Sequence, residues 1–393
     1  MHAHIRRTHV KTGRLVYICD WLPPDFGAVG QYATLFAREW ARSGWEVTLV
    51  GLTSGRSRRE AAQPIGEGTF EVIRVRRPIY EKQKLIERLV WTIISNLVLL
   101  KTAFGSMRRA DTVLFTGSPP MILHFIAPLN LIIRKNLIYR ITDFHPECLI
   151  ADRGKPGFLV NALLRLTKFW RRRIDLFEVL GLDQAQRLLE MGIPKERIQL
   201  KRNPSPIVFG PEHRPLELPD ALHEGSGVIL YSGHWGVAHD DDTFIEAYSE
   251  YYRQSRYGLK FWLNAVGAKA DRVEKELRRR GSFVYRTRPV PLEQLPPLLL
   301  TADVHLITLS DAFVGYVLPS KVHACIDSGK RIIFVGSEKS DVHLLASCAF
   351  KPLNYYRVGV GDADRLVKVF HDVESAVVSE RKRQAASKRV SIS

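Results

Sequence analysis

The chain has 393 residues, enough for two domains that each bury a core, and the composition of a soluble globular protein. Its four cysteines, Cys19, Cys148, Cys325 and Cys348, lie far apart without a CxxC pair, so neither a disulfide framework nor a zinc site is suggested, which fits a reducing cytoplasm. The net charge of +17 is lopsided: residues up to Arg202 hold 33 Lys+Arg against 18 Asp+Glu, and the remainder holds 25 against 23.

In chain order, "MHAHIRRTHVKTGRLVYICDW" is basic, but its apolar run is too short for a signal peptide and reads as a first buried strand, "RLVYICDW" (14–21). No secretion signal is visible. After a Pro/Gly loop comes "GQYATLFAREWARSG", with Tyr32, Leu35, Phe36 and Trp40 at helical spacing, and then the strand "EVTLVGL". This is a β-loop-α-β unit.

Two apolar stretches follow, "LVWTIISNLVLL" (89–100) and "MILHFIAPLNLII" (121–133), each shorter than the roughly 20 residues that span a bilayer. Each is followed by basic residues, Lys101, Arg108 and Arg109 after the first and Arg134 and Lys135 after the second. They read as core helices or as segments that dip into an anionic membrane surface. A solvated positive face without a partner is the plain alternative. No helix-turn-helix, RNP-type strand or zinc finger points to nucleic acid.

The strands "DTVLFTGSPP", "NLIYRITDFHPE" and "DLFEVLGL" complete the first half. "WRRRID" (170–175) reads as a solvated or lipid-facing basic face, and the proline-rich segment 203–219 as a linker. The pattern restarts with "GVILYSGHWG", "LKFWLNAVGA", "VHLITLS" and "RIIFVGS". Repeated βα units make the fold class α/β, with two Rossmann-like parallel-sheet domains that bind ligands beyond the carboxyl ends of their strands. The expected divisions are 1–205, 206–365, and a C-terminal helix and mobile basic tail over 366–393.

Residues at those carboxyl ends form the candidate site. Asp20, Pro23, Pro24, Asp25, Phe26, Gly27 and Ala28 follow the first strand. In the second half Gly233, His234, Trp235 and Gly236 follow "VILYS", "RTRPV" (286–290) follows "SFVY", and "SDAFVGYVLPSK" (310–321) follows "VHLITL". These loops are expected to face one cleft, where glycine-loop N–H groups, a helix start and Lys321 would seat a polyanion. "HDDDTF" (239–244) resembles a metal-holding aspartate motif but also reads as a helix start with acids at its positive end, so no metal is expected. His323 and Cys325 read as packing residues.

At this point the residues carry a resemblance. "PPDFGAVGQYATLFAREWARSGWEVTLV", "YSGHWGVAHDDDTF" and "ADVHLITLSDAFVGYVLPSKVHACIDSGK", in that order, resemble the GT-B glycosyltransferases of family 4, in particular the bacterial polysaccharide-assembly branch of colanic acid and O-antigen transferases. The resemblance implies that Gly27, Ala28, Gly233, His234, Gly236, Ser320 and Lys321 approach a donor diphosphate. It places Arg286, Arg288, Phe313 and Gly315 near the donor sugar or base. "DFHPE" (143–147) resembles the Asp-x-x-Pro-Asp/Glu of the cleft floor, with Asp143 and His145 toward the transferred sugar or the acceptor hydroxyl.

Two departures stand out. The position of the family's ribose-binding glutamate holds Ala324, with no glutamate from 310 to 330, and the Arg and Lys common after the "GHWG" turn are absent, Val237 and His239 standing nearby. The implied function is retaining transfer of a sugar from a UDP- or GDP-sugar to a lipid-linked or oligosaccharide acceptor. It would act without a metal cofactor or nucleic acid, in the cytoplasm, peripherally on anionic lipid at the inner face of the membrane. A non-catalytic GT-B scaffold is the main alternative. A sugar-nucleotide epimerase is a weaker one.

Overall fold

The computed structural model describes residues 12–25, 28–78, 85–154, 157–205, 207–350 and 354–390. The chain divides into two compact units, Met1–Arg202 and Asn203–Ser393.

The first unit runs β1 (Arg14–Trp21), α1 (Ala28–Arg42), β2 (Glu46–Thr53), β3 (Arg58–Ile65), β4 (Gly68–Arg76), α2 (Leu85–Arg109), β5 (Thr112–Thr116), α3 (Leu123–Ile133), β6 (Asn136–Ile141), α4 (Glu147–Arg153), α5 (Phe158–Arg171), β7 (Leu176–Val179), α6 (Leu182–Glu190) and β8 (Ile198–Leu200). Its sheet has the order β3-β4-β2-β1-β5-β6-β7-β8, with only β3 antiparallel to its neighbour. Helices cover the central strands on both faces, so "LVYIC" of β1 and all of β5 are buried, as continuous apolar runs require.

On α1 the buried stripe is Tyr32, Ala33, Phe36, Ala37 and Ala41. Leu35, expected on that stripe, is 43% exposed, because small alanines let the helix lie close to the sheet. The approach is closest at Gly30, where a Cβ would stand 1.8 Å from the Trp21 carbonyl oxygen. Strands β3 and β4 were not expected. β3 ("RREAAQPI") is an almost fully exposed polar edge without apolar alternation, so it carries no strand signal of its own.

The two apolar stretches are both helical. The first extends well beyond 89–100 as the 25-residue α2, whose Leu89–Arg109 portion is long and apolar enough, by length and composition, to cross a membrane. It nonetheless buries Trp91, Leu99, Leu100, Ala103 and Met107, and Asn96 donates to the Pro120 carbonyl at 2.9 Å, as a core helix of this unit does.

The second unit runs α7 (Asp220–His223), β9 (Gly227–His234), α8 (Asp242–Gln254), β10 (Leu259–Val266), α9 (Ala268–Arg279), β11 (Tyr285–Thr287), α10 (Leu295–Thr301), β12 (Val304–Thr308), α11 (Lys321–Asp327), β13 (Arg331–Val335), α12 (Asp341–Ala349), β14 (Tyr355–Val358) and α13 (Ala363–Val390). Its sheet is all parallel, in the order β11-β10-β9-β12-β13-β14. The core is aromatic, built on Tyr231, Trp235, Phe244, Tyr248, Phe261 and Phe370.

Two boundaries differ from expectation. The expected linker 203–219 is docked, since Ile207, Phe209, Leu216 and Leu218 pack into a second cluster of this unit and the Leu216 N–H reaches Thr301 Oγ1 at 2.7 Å. The segment 366–393 is no separate piece, because Leu366, Val369, Phe370, Val373 and Val377 of α13 are buried in the core. Nor is 381–389 a loose tail: helix α13 continues through it, and Arg381 binds Asp303 at 3.0 Å.

Candidate functional site

Sheet order decides which loops can meet a ligand. In each unit the strand order reverses at a switch point, between β1 and β5 in the first and between β9 and β12 in the second, and the loops beyond those strands form the ligand-binding edge.

In the second unit β9 ends at Gly233 and His234, and Gly233 has φ +112°, a conformation that demands glycine. Lys321 is the first residue of α11, whose end is Gly329 at φ +68°. Its stem keeps some exposure, but its ammonium nitrogen is sealed from water and has no hydrogen-bond partner. That nitrogen lies 3.3 Å from the centre of the Tyr231 ring and 4.0 Å from where a Cβ on Gly233 would stand. Burial pushes the Lys321 pKa down to about 7. A ring face offers a desolvated cation an attraction of about 2 kcal/mol or more, but no acceptor in line with the N–H bonds. The amine therefore keeps three donors for a ligand.

The surroundings are rigid and bring no anion to it. His239 donates through Nδ1 to the Thr308 carbonyl at 2.6 Å, and burial, with Lys321 nearby, lowers its pKa to about 3, so it stays neutral. Asn264 accepts from Ser232 at 3.2 Å and donates to Thr287 Oγ1 at 2.8 Å and to the Arg288 carbonyl at 2.6 Å, tying the ends of β9, β10 and β11 together. Lys269, which the sequence reading passed over, donates to the His239 carbonyl at 2.6 Å and pairs with Asp241 at 3.0 Å. It stands near the turn where the family's basic residues are missing.

The other expected donor residues divide. Gly236 sits in the turn after β9, its carbonyl accepting from the His239 N–H at 3.1 Å. Ser320 is exposed at the helix cap position and makes no side-chain cap bond. Gly315 is buried at φ +78°, and Phe313 is 3% exposed, a packing residue of its turn. Arg286 lies inside β11 rather than in the loop after it, and its ionic contacts are with Asp271 at 2.9 Å and Glu274 at 3.7 Å on α9. Arg288 is exposed. Gly27 lies outside the described residues, and Ala28 opens α1.

The aspartates of "HDDDTF" stand where α8 begins, but Asp241 makes no cap hydrogen bond. Its carboxylate lies between Lys269 and Arg272 instead, and Asp242 also pairs with Arg272. Among the described residues no three His, Cys, Asp or Glu side chains converge as a metal site requires.

The first unit carries the opposite sign. Asp143 follows β6 and is half-buried, and desolvation raises its pKa, opposed by nearby His145. Asp20, at the end of β1, is pushed up to about 6, first by burial and also by Asp143, against hydrogen bonds that include Ser118 of the loop after β5. Its Oδ1 is buried without a partner. Sequence reasoning collected Asp20 only as a loop residue; an acid at the carboxyl end of a central strand was the available signal.

Arg171 holds this loop in place. It pairs with Glu147 and donates to the His145 carbonyl at 3.2 Å, with its guanidinium over the buried Phe144 ring. The expected solvated face "WRRRID" thus contributes a 1% exposed arginine, because the buried Glu147 needs a cation.

Known proteins share this architecture. Residues 27–204 match the glycosyl transferase 4-like domain. The probable glycosyltransferase WbjE of Pseudomonas aeruginosa is 20% identical over 346 residues, covering 84% of this chain and 82% of that protein. Anabaena Alr3699/HepE, solved in complex with UDP and glucose, superposes with a TM-score of 0.57 at 12% identity, over 96% of this chain and 99% of that one. The lipopolysaccharide outer core galactosyltransferase WaaB, in its apo form, gives 0.53 at 12% identity over 93% and 91%.

Proposed function

We propose that this chain is a GT-B-fold glycosyltransferase of polysaccharide or glycan synthesis, a reading supported by the match of its first unit to the glycosyl transferase 4-like domain and by its likeness to WbjE, and that it moves a hexose, with retention of anomeric configuration, from a nucleotide-sugar to a lipid-linked or growing glycan acceptor of a cell-surface polysaccharide. The observation that carries the reading is the buried Lys321 ammonium beside Gly233, which has donors and no acceptor.

When the sugar's anomeric C–O bond breaks, the electron pair leaves with the nucleoside diphosphate. A protonated Lys321 and the backbone N–H groups near Gly233 would stabilise that charge where it forms. The acceptor oxygen makes the new bond, and its proton passes to a base: Asp143, beside His145, or the departing phosphate. In this reading no divalent metal shares the work, because the lysine supplies the charge and Asp241 is engaged by Lys269 and Arg272. Retention and family 4 chemistry follow from the resemblance of the ordered motifs.

The enzyme would work against the inner face of the cytoplasmic membrane. Supporting this are exposed Leu97 on α2 and Leu131 and Ile132 on α3, together with the basic Arg108, Arg109, Arg134 and Lys135 at the C-terminal ends of those two helices. Near an anionic surface each such cation contributes about 1 kcal/mol, which salt screens. The full chain should float with anionic but not zwitterionic vesicles at low salt, and reversing those four charges should release it.

The deciding experiment offers a panel of labelled nucleotide-sugars, with UDP- and GDP-sugars first, to the protein with membrane extract, with and without EDTA. Label transferred to glycan or lipid, with the donor's anomeric configuration and no loss under EDTA, is the expected result. Nucleotide binding without transfer would instead favour a non-catalytic scaffold, a reading to which Ala324 at the usual glutamate position lends weight.

A further inference from the structure

The first unit contains a pocket that the chemistry above does not use. It has a volume of about 160 Å³, and its walls include Leu89 of α2, Leu123 of α3, Leu149 of α4 and Leu163 of α5. Gly117 and His145 line it as well. Because α2, α3 and α5 lead into parallel strands, their N-terminal turns lie at the carboxyl edge of the sheet, and so does this pocket. It therefore adjoins the acid site: a Cβ on Gly117 would stand 3.4 Å from the Asp143 carbonyl oxygen.

The pocket lining is mostly apolar and holds no lysine, arginine or carboxylate. His124 also lines it. Thr167 gives its hydroxyl proton to the Leu163 carbonyl at 2.8 Å, so His124 Nε2, 3.1 Å from Thr167 Oγ1, must be the donor of that pair. Its Nδ1 is left without a partner, and burial, with Arg171 nearby, lowers the ring's pKa and keeps it neutral. Arg171 is itself paired with Glu147. The lining offers no lysine or arginine to a phosphate, whereas an apolar cavity of about 150 Å³ accommodates a six-carbon ring.

Outside the pocket the apolar surface continues. Leu89 and Val90 on α2 are 49% and 48% exposed, and Phe158 and Leu159, one turn before Leu163 on α5, are 84% and 80% exposed. We propose that this pocket holds the hydrocarbon chain of a lipid-linked acceptor near its polar head, with the rest of the chain running over the apolar ends of α2 and α5. The inference rests on the reading of the acceptor as lipid-linked. An ordinary bilayer lipid would have no reason to reach a pocket bordered by His145 and next to Asp143.

Photolabelling of the full-length protein tests it, with a benzophenone-bearing farnesyl phosphate as the probe. Label is expected on peptides containing residues 89–92, 121–124, 145–149 or 163. Leu163→Trp, a partly exposed position where added bulk fills the pocket, should lower labelling at least tenfold with melting temperature and nucleotide affinity unchanged. Leu149→Trp is the second variant should the first fail to fold. Excess phosphatidylglycerol should not protect, whereas unlabelled farnesyl phosphate should.

Label elsewhere, label unaffected by both variants, or equal protection by phosphatidylglycerol would overturn the proposal. The underlying reading fails separately: if the wild type labels in the pocket yet glycosylates only soluble glycans, the lipid-linked acceptor falls and the chain-binding pocket stands. If it glycosylates a lipid-linked acceptor and neither variant raises the KM for it, the pocket falls and the reading stands.

Discussion

The edges beyond the carboxyl ends of the two sheets carry titratable groups of opposite kind. At the edge of the first unit, Asp20 and Asp143 are half-buried acids whose pKa values rise through desolvation; at the edge of the second, Lys321 carries a buried amine whose pKa falls. Elsewhere the protein buries ions in pairs. Arg140 and Glu178 lie 2.7 Å apart at 2% and 3% side-chain exposure, joined by Lys201 at 3.5 Å. Buried charge is thus tolerated, but Asp20 Oδ1 and Lys321 Nζ are left without partners. An unpaired buried group costs stability that a complementary ligand restores on binding, which is why such groups mark functional sites.

The comparison can be broken or sharpened by exchanging the two kinds of burial. The largest effect is expected from Glu178→Ala, which leaves the buried Arg140 guanidinium without its carboxylate. Urea denaturation should show a loss of about 3–5 kcal/mol. A loss below about 1 kcal/mol would mean that partners matter little in this interior, and the contrast would dissolve.

Lys321→Met makes the reverse change. Its pKa lies below the ordinary 10.5, so the neutral form is the one the fold favours. The stability it contributes is complete above pH 10.5 and is lost as pH falls toward and through about 7. At pH 7.5 the variant should unfold about 2–4 kcal/mol later than wild type, by an amount that shrinks toward pH 10. Nucleotide affinity, measured by calorimetry, should fall 10- to 150-fold, the equivalent of about 1.5–3 kcal/mol for one charge-assisted contact. A variant that is less stable and binds normally would remove Lys321 from the site.

Asp20→Asn is expected to act at the other edge with the opposite pH dependence. The folded pKa of about 6 lies above the ordinary 3.8, so the acid's contribution is complete below pH 4 and is lost as pH rises through 6. The variant should gain up to about 3 kcal/mol at pH 7.5 and nothing at pH 4. A gain independent of pH would point to packing rather than charge.

The smallest effect is a count of protons. At pH 8 Lys321 is largely neutral in the free protein, and a diphosphate would recharge it. Donor binding should then take up close to one proton at pH 8 and none at pH 6, read from calorimetry in buffers of different ionisation enthalpy. No uptake at pH 8 would show that the free amine is already charged.

Much of this was legible in the sequence because parallel strands buried on both faces are written as apolar runs, and the residues after those runs must fall on one edge. Gly233 and Lys321 were collected that way, whereas Asp143 and His145 were singled out by the resemblance of "DFHPE" to a family motif. Their state was not legible: whether the Lys321 nitrogen meets water depends on Tyr231 lying beneath it, a contact 90 residues distant in the chain. The coupling of Asp20 to Asp143 depends on β1 and β6 flanking β5, which only the sheet order reveals. Arg171 looked like one of three adjacent surface arginines, and its burial follows from Glu147 on a different helix. β3 escaped because a solvent-facing edge strand need not alternate.

That same strand bears on how the protein behaves in bulk. The sheet's outer rim beyond β4 would otherwise offer a row of free N–H and C=O groups to any extended chain, including another copy. β3 occupies the rim with Arg58, Arg59, Glu60 and Pro64, and its exposed charges and its proline make it a poor template for a further strand. A protein with so much apolar helix surface must be kept from assembling by other routes. Replacing the Arg58–Ile65 strand with alternating valine and threonine should leave the core intact and turn a dispersed protein into one that sediments as fibrous or amorphous aggregate.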